Sequence, residues 1–184
     1  MEIILETKSL YLRRFVPEDL DELVALHGDE RVMRYIGKGH TRTREETEAF
    51  LNQRIGYYHH YPGLGLWAVT AKTSSGRPGR FIGWAGLIHL DHTEEIEVGY
   101  RLHWKERGRG YATELAIALV DYGQRELGLE RVVAVADPGN DASRRVLEKA
   151  GLIHTGQGRY YGRDCVYYER DLRPVLDKRS YIPN

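Results

Sequence analysis

The chain has 184 residues, 27 basic and 27 acidic, and this even balance argues against a dedicated nucleic-acid binder, whose footprint is a basic excess. Its one cysteine, Cys165, excludes an internal disulfide or a cysteine cluster for zinc. No apolar run approaches the ~20 residues of a membrane span and the N-terminal MEIILETKSLYLRR lacks a signal-peptide core, so one cytoplasmic domain over residues 1–184, with no membrane contact, is expected.

In chain order, SLYLRRFV (9–16) alternates apolar and polar residues as a strand does. Pro17, Glu18 and Asp19 then open a helix through Leu20, Leu23, Val24 and His27, which Gly28 ends. Residues 30–42 read as irregular and rich in Arg, Lys and Gly. Thr43 with Glu46 forms a capping-box pattern for a second helix carrying Ala49, Phe50 and Ile55 and ending in YYHHYPG. LWAVTA (66–71) is a strand, and so is RFIGWAGLIHL (80–90), where Gly83 and Gly86 predict a bulge or a close backbone approach.

EIEVGYRL (95–102) alternates with period two, placing Ile96, Val98, Tyr100 and Leu102 on one face and Glu95, Glu97, Gly99 and Arg101 on the other. KERGRGYATEL follows, then a helix with Ala112, Leu115, Ala116, Leu119 and Tyr122 on its apolar face, stopped near Gly128. RVVAVAD (131–137) reads as a strand buried on both faces, and PGND leads into a helix over 141–149. Two last strands, near 153–155 and 165–172, flank a glycine- and tyrosine-rich hairpin, GQGRYYGRD. The order predicts an α/β layer structure with one central sheet.

The turn before the third long helix carries the chemistry. Gly108-Arg-Gly110-Tyr-Ala-Thr lacks the third glycine of a dinucleotide fingerprint, and no acidic-ended strand follows at the right distance, which leaves a Rossmann oxidoreductase a distant third reading. It also lacks the lysine ending of a phosphate-binding loop. The first amides of a helix nonetheless have no internal partners and sit at the positive end of the helix dipole. Glycines let those amides converge on an anion, with Lys105, Arg107 and Arg109 adding charge. On its own the turn fits a phosphate cradle and a plain solvated loop equally well.

EVGYRLHWKERGRGYATEL resembles the acyl-coenzyme A signature of the GNAT superfamily of N-acetyltransferases, most closely the RimJ/RimL-type branch. TKSLYLRRFVPEDLDEL and NDASRRVLEKAGL are similar to two further stretches of that branch, in the same order. The resemblance implies a GNAT fold, a mixed and mostly antiparallel central sheet flanked by about four helices. It implies acetyl transfer from acetyl-CoA to a primary amine, with no metal and no covalent enzyme intermediate. The acceptor is a protein N-terminus or a small-molecule amine, with no direct nucleic-acid partner, and a homodimer is compatible with this reading. Lys105 stands where Gln or Arg is usual, Lys8 replaces an Arg and Leu152 a Phe. Leu147 occupies the place where many superfamily members carry a tyrosine acid.

Carried onto this chain, the resemblance assigns the cofactor to Lys105, Arg107, Gly108, Arg109, Gly110, Tyr111 and Ala112. Tyr100, Arg101 and Leu102 act mostly through main chain, and Asn140 and Ser143 contact the pantetheine arm and leaving sulfur. Glu97 is the candidate base, since an amine must shed a proton before it attacks; the plainer reading is a solvated glutamate paired with Glu95 or Arg101. Asn140 also suits a helix N-cap, and Ser143 a first helical turn. Arg31, Arg34, Lys38, Arg42 and Arg44 fall where the superfamily binds its acceptor, although a solvated surface describes them as well. Tyr57, Tyr58, Tyr61, Tyr160 and Tyr161 are candidates for a pocket wall or for core. His59 and His60, adjacent and without an acidic partner, read as solvent-facing, and Cys165 as a core residue. The rival function is a non-catalytic acyl-CoA-binding sensor on the same fold.

Overall fold

The computed structural model describes residues 2–173. Strands β1 (Ile3–Glu6) and β2 (Leu10–Arg13) are followed by a 3-10 turn at Pro17–Asp19 and helices α1 (Leu20–His27), α2 (Glu30–Met33) and α3 (Arg44–His60). Then come β3 (Gly65–Lys72), β4 (Pro78–His89) and β5 (Ile96–Leu102), a 3-10 turn at Trp104–Glu106, and α4 (Tyr111–Arg125). The described chain closes with β6 (Arg131–Ala136), α5 (Asp141–Lys149), β7 (Ile153–Tyr160) and β8 (Arg163–Asp171).

All eight strands form one sheet in the order β1-β2-β3-β4-β5-β6-β8-β7. Every neighbouring pair is antiparallel except β5 and β6. The parallel pair follows from the α4 crossover, because a strand can return alongside its predecessor only through a long connection. One face of the sheet packs Leu87, Val98 and Val132 against Leu115 and Leu119 of α4 and Leu147 of α5. The other packs Phe81, Trp84 and Ile88 against Leu23 and Leu26 of α1 and Leu51 of α3. The alternation of β5 serves this arrangement: Ile96, Val98, Tyr100 and Leu102 all meet the α4 side.

Both predicted close approaches in β4 are present. A Cβ on Gly83 would lie 2.1 Å from the Arg101 carbonyl oxygen, and one on Gly86 would lie 1.8 Å from that of Gly65. The register steps from Val69 opposite Gly83 to Thr70 opposite Phe81, so Ile82 is the extra residue of a bulge.

Four expectations need correction. The first strand, β1, lies ahead of the predicted one; it is a four-residue edge strand with exposed ends and carries little hydrophobic alternation to read. Residues 30–42 include the single helical turn α2, started by the Asp29 side chain accepting from the Arg31 amide, which makes five α-helices among the described residues. The glycine- and tyrosine-rich hairpin is nearly all ladder, its strands reaching past the ends expected near 155 and 165: β7 runs to Tyr160 and β8 begins at Arg163. Pairing with β8 supplies what the Gly-rich sequence of β7 lacks in intrinsic strand propensity. Finally, the strand expected over 9–16 stops at Arg13, where the chain turns toward α1.

Candidate functional site

The parallel seam is where the site forms. β5 and β6 share a single register pair, Glu97 opposite Val133, while β4–β5 and β6–β8 are paired along their lengths. Beyond Glu97 the two strands part, and residues 98–102 and 135–137 line opposite sides of a cavity of about 1110 Å³. This exceeds the ~300–1,000 Å³ usual for a drug-sized ligand. Strand separation exposes main-chain groups that a closed sheet would consume, so the gap can hydrogen-bond a guest through backbone alone.

At one side of the gap stands the α4 turn. Gly108 and Gly110 adopt left-handed backbone angles, φ 77° and 80°, and Gly110 is the N-cap residue. No side chain caps the helix, and no atom lies within 4 Å of where a Cβ would sit on either glycine. The first amides of α4 are therefore bare at the positive end of a 15-residue helix, an arrangement suited to a phosphate. Arg107, Gly108, Gly110, Tyr111 and Ala112 line the cavity there, and the Arg107 guanidinium stacks 3.9 Å from the Trp104 ring centre. Lys105 is exposed on the Trp104–Glu106 turn, and Arg109 lies 3.6 Å from Glu106; neither lines the cavity.

The α5 start supplies the opposite wall. Asn140 is its N-cap, its side-chain oxygen accepting from the Ser143 amide at 3.2 Å. The Ser143 hydroxyl sits 2.9 Å from the Tyr100 phenol across the gap, and that phenol also donates to the Ser143 carbonyl. Burial raises the Tyr100 pKa, so the phenol keeps its proton. Tyr100 thus contributes a side chain as well as main chain. Arg101 points to the other face, where it is 8% exposed and stacks on Trp84 at 4.7 Å.

Glu97 lies where the seam opens. Burial pushes its carboxyl up to about 8, with the nearby Asp91 charge adding to the rise. The Tyr161 phenol donates to Oε2 at 2.9 Å and, with Arg54, pulls the other way. Oε1 faces Gly99, 3.5 Å from where a Cβ would stand. Tyr161 is held in turn by Asp91: its amide donates to the Asp91 carboxylate and its phenol accepts from the Asp91 amide, both at 3.0 Å. Among the described residues Asp91 and Tyr161 are the two non-glycines with positive φ, 48° and 52°. Such strain persists only where surroundings over-determine it, and here it aims one phenol at one carboxylate. Glu95, the alternative partner considered for Glu97, is occupied by Arg131 and Tyr167.

Residues 9–153 match the family model for the acetyltransferase (GNAT) domain. The chain belongs to the GNAT family of acetyltransferases. A relative named Probable N-acetyltransferase YjcK, from Bacillus subtilis (strain 168), is 44% identical over 169 residues, covering 85% of this chain and 87% of its own. A GNAT-family acetyltransferase structure from Bacillus anthracis superposes with a TM-score of 0.76 at 26% identity, covering 94% of this chain and 99% of that one. RimL, the ribosomal L7/L12 alpha-N-protein acetyltransferase solved with coenzyme A, shares the fold with a TM-score of 0.74 at 18% identity, covering 92% and 98%.

Within this GNAT domain the other candidates divide. His59 and His60 are exposed at the end of α3. Of the five tyrosines, Tyr160 and Tyr161 line the cavity; Tyr58 is core, and Tyr57 hydrogen-bonds His89. Cys165 is buried and borders the cavity. Of the basic loop, Arg31 is tied to Asp29 and Arg44 to Asp21, while Arg34 and Lys38 are exposed. Arg42 alone turns into the cavity. Sequence reading did not single out Arg54, which also lines it. Its place on α3 beside Phe50, one turn apart, was the available signal.

Proposed function

We propose that this GNAT-family chain is an N-acetyltransferase that uses acetyl-CoA to acetylate a primary amine by direct attack. The observation that carries the reading is Glu97: a carboxyl with a pKa raised to about 8, in one cavity with the bare amides of α4. A base poised near the working pH is what amine activation asks for.

Acetyl-CoA supplies the acetyl group as a thioester. Gly108 and Gly110 turn the first amides of α4 toward its pyrophosphate, with Arg107 adding positive charge beside Tyr111 and Ala112, while Lys105 and Arg109 stay outside the cavity. Tyr100, Arg101 and Leu102 offer main-chain groups along the open edge of β5, and Asn140 and Ser143 face them from α5. Glu97 Oε1 takes the ammonium proton, because Oε2 is engaged by Tyr161. The hydrogen-bonded Ser143 hydroxyl and Tyr100 phenol hold a proton at the gap for the departing sulfur. No helix among the described residues is long and apolar enough to cross a membrane.

The test is release of free thiol from acetyl-CoA by purified protein offered N-terminal peptides, polyamines, aminoglycosides and small amino acids. Turnover that falls in Glu97→Gln supports the reading. Tight acetyl-CoA binding with no turnover on any amine would instead support a non-catalytic sensor.

A further inference from the structure

Three arginines line the cavity without a carboxylate in ion-pair contact. Arg42 precedes α3, Arg54 lies on α3 and Arg101 on β5, and none makes an ion pair among the described residues. They are close together. The guanidiniums of Arg42 and Arg54 each stand 5.0 Å from the centre of the Phe50 ring, Phe50 lies 6.1 Å from Trp84, and Arg101 is 4.7 Å from Trp84.

Their hydrogen bonds are poor. Arg101 donates only to the Met33 sulfur at 3.5 Å, and Arg54 only to the neighbouring Gln53 amide oxygen. The Nε groups of Arg54 and Arg101 and the Nε1 of Trp84 are buried without acceptors. Burial lowers the pKa of all three arginines; repulsion from Arg54 adds to this at Arg42, and repulsion from Arg42 and Arg54 adds to it at Arg101, which falls to about 9 and stays a cation at neutral pH.

Nearby acids do not offset them. Glu106 is held by Arg80 and Arg109, Asp137 by Arg163, and Glu46 by the Thr43 amide. Burial leaves Glu97 mostly protonated at neutral pH, and its Oε2 is already engaged by the Tyr161 phenol. Packing like charges away from water without counter-charge is costly, and native chains retain such clusters where a ligand completes them.

We infer that Arg42, Arg54 and Arg101 bind an anionic group of the acceptor, which makes the substrate class a primary amine that also carries a carboxylate or phosphate. This deepens the acetyltransferase reading above and rests on it. Guanidinium forks suit both oxyanions, and the Phe50 and Trp84 faces keep them pre-oriented. Polyamines and aminoglycosides, which bring only positive charge, are disfavoured by the same field.

The experiment compares matched acceptors: γ-aminobutyrate against its amide, and phosphoethanolamine against ethanolamine, with spermidine as the cationic control. The two pairs separate a carboxylate requirement from a phosphate one. The anionic member of at least one pair should show a kcat/KM about tenfold or more above its neutral partner, and Arg42→Gln or Arg54→Gln should remove most of that ratio. The acetyl-CoA Kd should stay within about twofold in both variants, as expected of a site apart from the donor cradle.

Equal use of both members of both pairs, a preference for spermidine, or a ratio untouched by either substitution would overturn the inference. So would variants that weaken acetyl-CoA alone. If no amine turns over, the acetyltransferase reading fails separately, and glutarate and inorganic phosphate are titrated calorimetrically into acetyl-CoA-saturated protein. Saturable binding lost in Arg54→Gln upholds the anion site; no binding of either overturns it.

Discussion

Tyr161, at the turn between β7 and β8, donates its phenolic hydrogen to Glu97 Oε2 on β5 across 2.9 Å, although 64 residues separate them in the chain. This hydrogen bond favours the charged carboxylate, whereas burial favours the neutral acid, and burial wins: the Glu97 pKa settles at about 8. The balance between the two sets the pH at which the proposed base becomes available.

The rate of a chain using Glu97 as base should rise with pH and level off above about 8, as the carboxyl ionises. Glu97→Gln should lower kcat by ~10²-fold or more, the usual contribution of a positioned base, and abolish the rising limb. Acetyl-CoA affinity, measured by calorimetry, should change little. A Gln variant with a wild-type pH profile would remove Glu97 from the chemistry.

Tyr161→Phe deletes the bond that stabilises the carboxylate, so the rising limb should move to higher pH. It also strips the Asp91 amide of its acceptor, at a cost of ~1 kcal/mol in stability. The profile shift is the informative reading, since loss of stability alone would leave it in place.

Glu97 couples stability to pH in a definite direction. The folded chain holds the proton up to about pH 8, while the unfolded chain releases it near 4.5. More protons are bound in the folded state between these values, so this group's stabilising contribution is full below 4.5 and falls as pH rises toward 8. Melting temperatures at pH 5 and pH 9 should therefore differ less in Glu97→Gln than in the parent.

Ser143 and Tyr100 share one hydrogen bond across the gap, so their effects should not add. Ser143→Ala and Tyr100→Phe should each lower kcat by ~10-fold, and the double variant should fall little further. Full additivity in a double-mutant cycle would mean that the pair does not act as a unit.

Gly110→Val places a β-branched residue at φ 80°, a conformation costing such a residue about 1–2 kcal/mol or more. Since a Cβ at that position meets no atom within 4 Å, the chain should fold with a modestly lowered Tm. The re-aimed amides should raise the acetyl-CoA Kd by ~10-fold or more. Gly86→Ala should behave differently: its Cβ would fall 1.8 Å from the Gly65 carbonyl oxygen, between β3 and β4, and soluble folded protein should be scarce.

Local chemistry was legible from residues alone. The left-handed glycines ahead of α4, the Thr43–Glu46 capping box, the Asn140 cap and the two-faced alternation of β5 each depend on neighbours a few positions away. These features determined the element order and the place of the glycine turn proposed to cradle an anion. Sequence reading left Tyr161 as one of five tyrosines, set Arg42 among solvated loop charges and passed over Arg54. Only the tertiary structure brought Tyr161 to Glu97 and gathered Arg42, Arg54 and Arg101 around Phe50 and Trp84. The reason is that a splayed seam, a buried carboxyl and an unpaired cation are properties of packing and desolvation. They arise between segments far apart in the chain, whose relative positions no local pattern encodes.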